Sequence, residues 1–362
     1  MSRKILVTAD QIATSSTGLY HFAFELIKQL RAYQIDEMDL QYLIPRSFAK
    51  IKPFGEVHYR TRGVLTNLRW KSIPEFDLIH FTQQNPTLLK PHKIIGRKIL
   101  TIHDLNYRYE YPVDSAPYRH FQAQTRRYMD QVDGITTISH YAARDISEHL
   151  QYPLDQIRVI YNGVNVSTIP AAELAHHQPS FRPERPFLFT VGTVMAKKNF
   201  HVLPALLANL DYDLIIAGRI DDHSLEYYNL IKRECERFGI ASGRVHLLGE
   251  TSEIDKHWYY QYCSAFVFPS IAEGFGLPVL EAFSYEKPTF LSTHTALPEV
   301  GGEAAYYFDS FHPDRMSEVV KQGLADFPSS NKIQLARNRV SEFSWEKAAQ
   351  SYLTLYEEIL RR

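Results

Sequence analysis

The feature that most restricts the fold is a strand–helix alternation that runs, stops and then begins again. The apolar runs "KILVTAD", "FDLIHF", "RKILTIH", "GITTIS" and "IRVIYNG" each end in polar or glycine residues. Helix-forming stretches lie between several of them: "TGLYHFAFELIKQL", "PYRHFQAQTRRYMDQV" and "YAARDISEHL". In the first, Leu19, Phe22, Leu26 and Leu30 fall on one face. Strands regularly separated by helices imply parallel βαβ units.

The alternation halts at "AAELAHHQPSFRPERP", residues 171–186, where proline and charge predict an interdomain linker over 176–186. His176 and His177 are expected in a solvated loop there rather than on a metal. The pattern then resumes with "FLFTVG", "NFHVLPALLANL" as a helix, "DLIIAG", "SLEYYNLIKRECERF", "RVHLLG", "EIDKHWYYQYC", "AFVFPS" and "KPTFLS". The final stretch spaces Ala348, Tyr352, Leu355, Tyr356 and Ile359 as one helical face. A length of 362 residues accommodates two cores. The expected fold is α/β, two successive Rossmann-like doubly wound domains. Ligands are expected at the carboxyl ends of the strands, in a cleft between the domains.

A net charge of −1 argues against nucleic acid as a partner. The only cysteines, Cys235 and Cys263, lack metal-type spacing, and no apolar run reaches eighteen residues. A reduced, cytoplasmic, soluble chain is the expectation. One span departs from neutrality: Arg46, Lys50, Lys52, Arg60, Arg62, Arg69 and Lys71 face a single acid, Glu56. It reads either as a solvated loop or as a surface for an anionic acceptor or the inner face of the cytoplasmic membrane.

The chemistry concentrates in "SIAEGFGLPVLEAF", where Glu273 and Glu281 flank a glycine-rich turn. Pro278 suits the start of a helix, so Gly274 and Gly276 fall in a strand-to-helix loop that lets a ligand approach the main chain. Free N–H groups at that helix start attract an anion, and Glu281 is expected in the first turn beside them. A phosphate-bearing ligand with hydroxyls at both ends satisfies both acids, which describes a nucleotide diphosphate sugar. A capping loop with a dipole-offsetting glutamate would explain Glu281 but neither Glu273 nor the glycines. Asp211 to Asp213, "DYD", resembles a metal-binding D-x-D, but it lies at the amino end of its strand, so no metal is expected there.

"EGFGLPVLEA" resembles the E-x7-E signature of retaining GT-B glycosyltransferases of family 4, the glycogen-synthase-like and mannosyltransferase-rich group. "TGLYHFAFELIKQL", "TIHDL", "TISHYAARDI" with "VIYNGV", "VGTVMAKKNF", "IAGR", "HLLGE", "LPEVGGEAAYYF" and "EFSWEKAAQSYLTLYEEIL" resemble further family segments in the family's order. The resemblance implies a C-terminal helix, 344–362, crossing back onto an N-terminal acceptor domain, 1–175, with the donor domain at 187–343. It implies that Glu273 and His103 meet the donor sugar, that Glu281 meets the ribose, and that Lys198 neutralises the diphosphate. Gly18, Gly192, Thr193, Gly218, Arg219, Gly274, Phe275, Gly276 and Leu277 complete the expected donor site.

Two departures stand out. Thr193 occupies the place where family members usually carry Arg, so either Lys197 or Arg219 becomes the candidate second cation, or the site runs on one cation plus N–H donors. Only Gly18, preceded by Thr17, stands where paired glycines are common. Acceptor recognition is expected around "HFTQQN", His80 to Asn85, with Gln83, Gln84 and Asn85 joined by Asp104, which orients its loop. The implied reaction moves a hexose, with retention and without metal or other cofactor, to a glycan or lipid-linked acceptor in bacterial surface polysaccharide synthesis. GDP-mannose is the first expected donor and a UDP-sugar the next. A glycoside hydrolase would also use two carboxylates but needs no phosphate loop. A non-catalytic sugar-nucleotide-binding protein and a sugar-nucleotide epimerase are the other readings left open.

Overall fold

The computed structural model describes residues 2–13, 18–33, 37–49, 54–55, 58–62, 76–87, 90, 96–166, 169–220 and 224–362. The chain forms two compact units, Met1–Gly163 with Phe343–Arg362, and Val164–Glu342.

The first unit holds seven strands: β1 (Arg3–Thr8), β2 (Met38–Pro45), β3 (His58–Arg62), β4 (Leu78–Phe81), β5 (Arg97–Ile102), β6 (Gly134–Thr137) and β7 (Ile157–Val159). All pairings are parallel, in the order β3-β2-β1-β4-β5-β6-β7. Ile5, Leu6, Val7, Leu78, Ile79, Phe81, Ile99 and Leu100 are completely buried, as a sheet covered on both faces requires. The order reverses between β1 and β4, where Val7 pairs with His80, which makes their carboxyl ends the unit's switch point.

The second unit repeats the plan with β8 (Phe187–Val191), β9 (Asp213–Ala217), β10 (Val245–Gly249), β11 (Ala265–Phe268), β12 (Thr289–Ser292) and β13 (Tyr306–Phe308). The order β10-β9-β8-β11-β12-β13 is again wholly parallel and reverses between β8 and β11. Two loops therefore meet at the second switch point: the one after Val191 and the one after Phe268.

Several local expectations need correction. Residues 176–186 belong to the second unit. His177 Nε2 lies 2.5 Å from Asp255 Oδ1, the Ser180 N–H donates to Asp255 Oδ2 at 3.1 Å, and Tyr259 OH donates to the Phe181 carbonyl at 2.8 Å. His177 is thus docked rather than solvated, because a buried carboxylate needs donors. "NFHVLPALLANL" forms 3-10 turns at Phe200–Val202 and Pro204–Ala208 instead of one α-helix. Pro204 has no N–H to donate, and Asn199 before it adopts a left-handed φ of 57°. Asp213 opens β9 and pairs with Arg244 at 3.2 Å. β3, with the polar sequence "HYRTR", carries no apolar signal because it is an edge strand.

The C-terminal helix, Trp345–Arg361, packs on the first unit. It starts at Ser344, whose hydroxyl accepts from the Lys347 N–H, and it buries Trp345, Tyr352, Leu355, Tyr356 and Ile359. Each such side chain contributes about 1.5–3 kcal/mol of burial. Polar contacts set where the helix lands. His80 Nδ1 lies 2.7 Å from Tyr356 OH and its Nε2 2.7 Å from Thr101 Oγ1, while Tyr352 stacks on the imidazole with ring centroids 4.8 Å apart. His80 is therefore structural, held between Tyr356 and Thr101.

Burial, with a smaller effect from His103, holds the His80 pKa down to about 3. The unfolded chain binds a proton near pH 6.5 that the folded imidazole refuses until about pH 3. The stability contributed by neutral His80 is complete above pH 6.5 and drains away between those values, at up to about 1.4 kcal/mol per pH unit. An NMR titration is expected to show the His80 ring resonances unmoved at pH 5. A midpoint near 6.5 in the folded protein would contradict the network.

Candidate active site

In the second unit, the loop after β8 and the loop after β11 cross at the switch point. Lys198 closes a 3-10 turn, Ala196–Lys198, and its Nζ lies 2.6 Å from Glu273 Oε1 and 5.1 Å from the Phe268 ring centre. Only 13% of the Lys198 side chain and 12% of that of Glu273 are exposed, so removing either partner would leave a largely desolvated charge. Main-chain bonds hold both loops in place. The Ile271 N–H and Ser270 Oγ donate to the Lys197 carbonyl at 2.8 and 3.0 Å, and the Glu273 N–H donates to Thr295 Oγ1 at 3.0 Å.

Gly192 and Gly218 meet back to back. A Cβ on Gly218 would stand 1.9 Å from the Gly192 carbonyl oxygen, and one on Gly192 would stand 3.2 Å from Lys198 Cε. The Val194 N–H, just beyond Thr193, donates to the Arg219 carbonyl at 2.9 Å. Gly192, Thr193, Lys198, Gly218, Arg219 and Glu273 are thus gathered around one point. The bond from Val194 brings the Arg219 main chain next to Thr193.

Gly276 caps the helix Leu277–Ser284 with φ 114°, a conformation that favours glycine. Pro278 is the second helical residue. Phe275 is core, 3% exposed, so its ring packs inside the unit. Glu281 corrects an expectation: it is the fifth helical residue, beyond the first turn, because the helix begins four residues before it. Its Oε2 accepts from Tyr260 OH at 2.8 Å and its Oε1 lies 3.3 Å from Lys256 Nζ. Burial, and then Glu281, push the Tyr260 phenol well above its usual range, which keeps it a donor. Burial disfavours the Lys256 charge, but Glu281 and Glu253 outweigh it and raise its pKa. Sequence reasoning missed Lys256 and Tyr260. Their i, i+4 spacing places them on one helical face, but their shared partner lies more than twenty residues away.

In the first unit, His103 follows β5 directly and is 3% exposed. Its Nε2 donates to the Thr82 carbonyl at 2.8 Å, and its ring meets the Phe22 edge with centroids 4.5 Å apart. Burial lowers its pKa, against the Thr82 carbonyl and Asp104, so Nδ1 is the nitrogen left with a lone pair. Gln84 clamps the same turn, accepting from the His103 N–H and donating to the Asp104 carbonyl, both at 3.2 Å. Asp104 takes the Asn106 N–H at 3.0 Å and its side-chain amide at 2.8 Å. Gln83 and Asn85 flank Gln84, each half-buried. Gly18 opens the helix Gly18–Leu30, while Thr17 lies outside the described residues. Of the basic span, Arg46, Arg60 and Arg62 are described; Lys50, Lys52, Arg69 and Lys71 lie outside the described residues.

Residues 41–168 match the family model "Glycosyltransferase Family 4", and residues 172–338 match "Glycosyl transferases group 1". The chain belongs to the group 1/family 4 glycosyltransferases. It is 27% identical to the O-antigen chain mannosyltransferase B of Escherichia coli, across 98% of this chain and 99% of that one. It is 23% identical to the O-antigen chain mannosyltransferase RfbU of Salmonella typhimurium, across 96% and 97%. Sucrose-phosphate synthase from Thermosynechococcus elongatus shares its fold, with a TM-score of 0.77 at 18% identity over 99% of this chain and 100% of that chain. This glycosyltransferase therefore has the GT-B architecture, uses a nucleotide-sugar donor and a glycan acceptor, and belongs to a retaining hexosyltransferase family. Among its described residues no helix is long and apolar enough to cross a membrane.

Proposed function

We propose that the enzyme transfers mannose from GDP-mannose to a hydroxyl of a growing, lipid-linked surface polysaccharide, in the cytoplasm at the inner membrane face. The observation that carries the donor half is the Lys198–Glu273 pair at the second switch point, set between two glycine turns. A cation beside a glycine turn suits a diphosphate, and an adjacent carboxylate suits the hydroxyls of the attached hexose. The two O-antigen mannosyltransferases, matched over nearly their whole length, support mannose and the surface-polysaccharide acceptor.

Charge develops on the diphosphate as the glycosidic bond breaks. Lys198 and the amides of Gly274 to Leu277 are proposed to stabilise it, while Glu273 and His103 position the hexose and Glu281 the ribose. Same-face attack then retains the anomeric configuration, the departing diphosphate accepting the acceptor's proton. Arg219 is proposed as the second cation. Gln83, Gln84, Asn85 and Asp104 are assigned to the acceptor, and the basic span 46–71 to the anionic membrane surface. The GT-B assignment and Lys198 beside its glycine turn favour this reading over a hydrolase.

A thermal-shift panel of nucleoside diphosphates and their sugars tests the donor. A rise of several degrees with GDP-mannose, and release of GDP only when an acceptor glycan is added, is the expected result. Stabilisation by UDP-sugars alone would replace the donor. GDP release into water at the same rate, or conversion of the donor with no acceptor present, would replace the reaction.

A further inference from the structure

Lys198 and Glu273 are proposed to bind opposite ends of the donor, yet they are bonded to each other at 2.6 Å. Both side chains are largely shielded from solvent, so neither gives up its partner without cost. A diphosphate drawing Lys198 away leaves Glu273 short of a donor, and an enclosed carboxylate without one is costly. An intact nucleotide sugar repairs this deficit at once, because its hexose hydroxyls donate to the carboxylate. The nucleoside diphosphate left after transfer has no hexose and cannot.

We infer that Glu273 discriminates donor from product by competing with the diphosphate for Lys198, so that loss of the hexose returns Lys198 to Glu273 and helps expel the nucleotide. This rests on the donor site proposed above. Glu273 then has two effects of opposite sign: it strengthens binding of the nucleotide sugar and weakens binding of the bare nucleotide. A residue needed only to shape the loop would move both affinities the same way.

Calorimetric titration of GDP and of GDP-mannose into the wild type, Glu273→Gln, Lys198→Met and the double variant tests this. In the wild type GDP is expected to bind about tenfold more weakly than GDP-mannose, the scale of one charge-assisted hydrogen bond. Glu273→Gln should tighten GDP and weaken GDP-mannose, each by about tenfold. The gain for GDP should shrink in the Lys198→Met background, since there is then no cation to compete for. Equal gains in both backgrounds would reduce the effect to plain charge repulsion and overturn the inference while leaving the donor site standing. So would wild-type affinities for GDP and GDP-mannose that are equal, a comparison that needs no variant to fold. Absence of any nucleotide binding by the wild type would remove both the site and the inference.

Discussion

Lys198→Ala is expected to lower glycosyl transfer by about 10²–10³-fold, the loss of about 2.7–4 kcal/mol that follows removal of one preorganised donor to a developing anion. The effect should fall mainly on kcat, because the negative charge on the leaving diphosphate is greatest in the transition state. The substitution also takes the cation from the diphosphate of the bound donor, so donor affinity should fall as well. Lys198→Arg is the informative companion. It restores the charge, but its planar fork must fit between Gly192 and the Phe268 ring, so partial recovery is expected. Steady-state rates with the donor and a glycan acceptor decide the matter. A Lys198→Ala enzyme that turns over at the wild-type rate would move the diphosphate elsewhere on the protein.

Gly218→Ala is expected to damage both stability and donor binding. The residue has φ 141°, and an added methyl would lie 1.9 Å from the carbonyl oxygen of Gly192 and 2.5 Å from its carbon. Main chain cannot swing aside as a flexible side chain does, so the turns after β8 and β9 must part. A cost of about 3 kcal/mol combines the strained conformation with the displaced backbone. Nucleotide affinity should drop about 100-fold, because separating the turns by around 1 Å moves Lys198 off its target. Gly239→Ala separates the two causes. Its φ of 63° is also left-handed, but nothing lies within 4 Å of the added carbon. It should cost about 1 kcal/mol and leave nucleotide binding untouched. Melting curves and nucleotide titrations on both variants give the comparison; equal effects would mean that the close approach at Gly218 is unimportant.

Much of this molecule was open to sequence reasoning because its signals are local. The strands β1, β4, β5, β8, β9 and β11 are uninterrupted apolar runs, and a strand buried on both faces can be little else. The glycine turn before Pro278 and the strand end before His103 were legible for the same reason: short-range sterics determine where a chain must turn. The reading failed where neighbours override local preference. β3 is polar because an edge strand has one open side. The run after Asn199 breaks into 3-10 turns around Pro204. Residues 176–186 look like a linker by composition, yet Asp255, more than seventy positions on, draws them onto the second unit.

By itself the sequence determined the two α/β units, the glycine turns, the identity of the ionisable groups and the amphipathic face of the final helix. These depend on residue type and spacing over a few turns of chain. Tertiary structure alone decided which groups meet. Sheet order set Lys198 against Glu273 across 75 residues and brought Lys256 and Tyr260 to Glu281. It also anchored Tyr356 on His80 across 276 residues, turning an expected acceptor contact into part of the core. The reason is that a hydrogen bond or ion pair needs both partners within about 3 Å, and distance in space between remote residues is set by the packing of whole sheets, which no local pattern encodes.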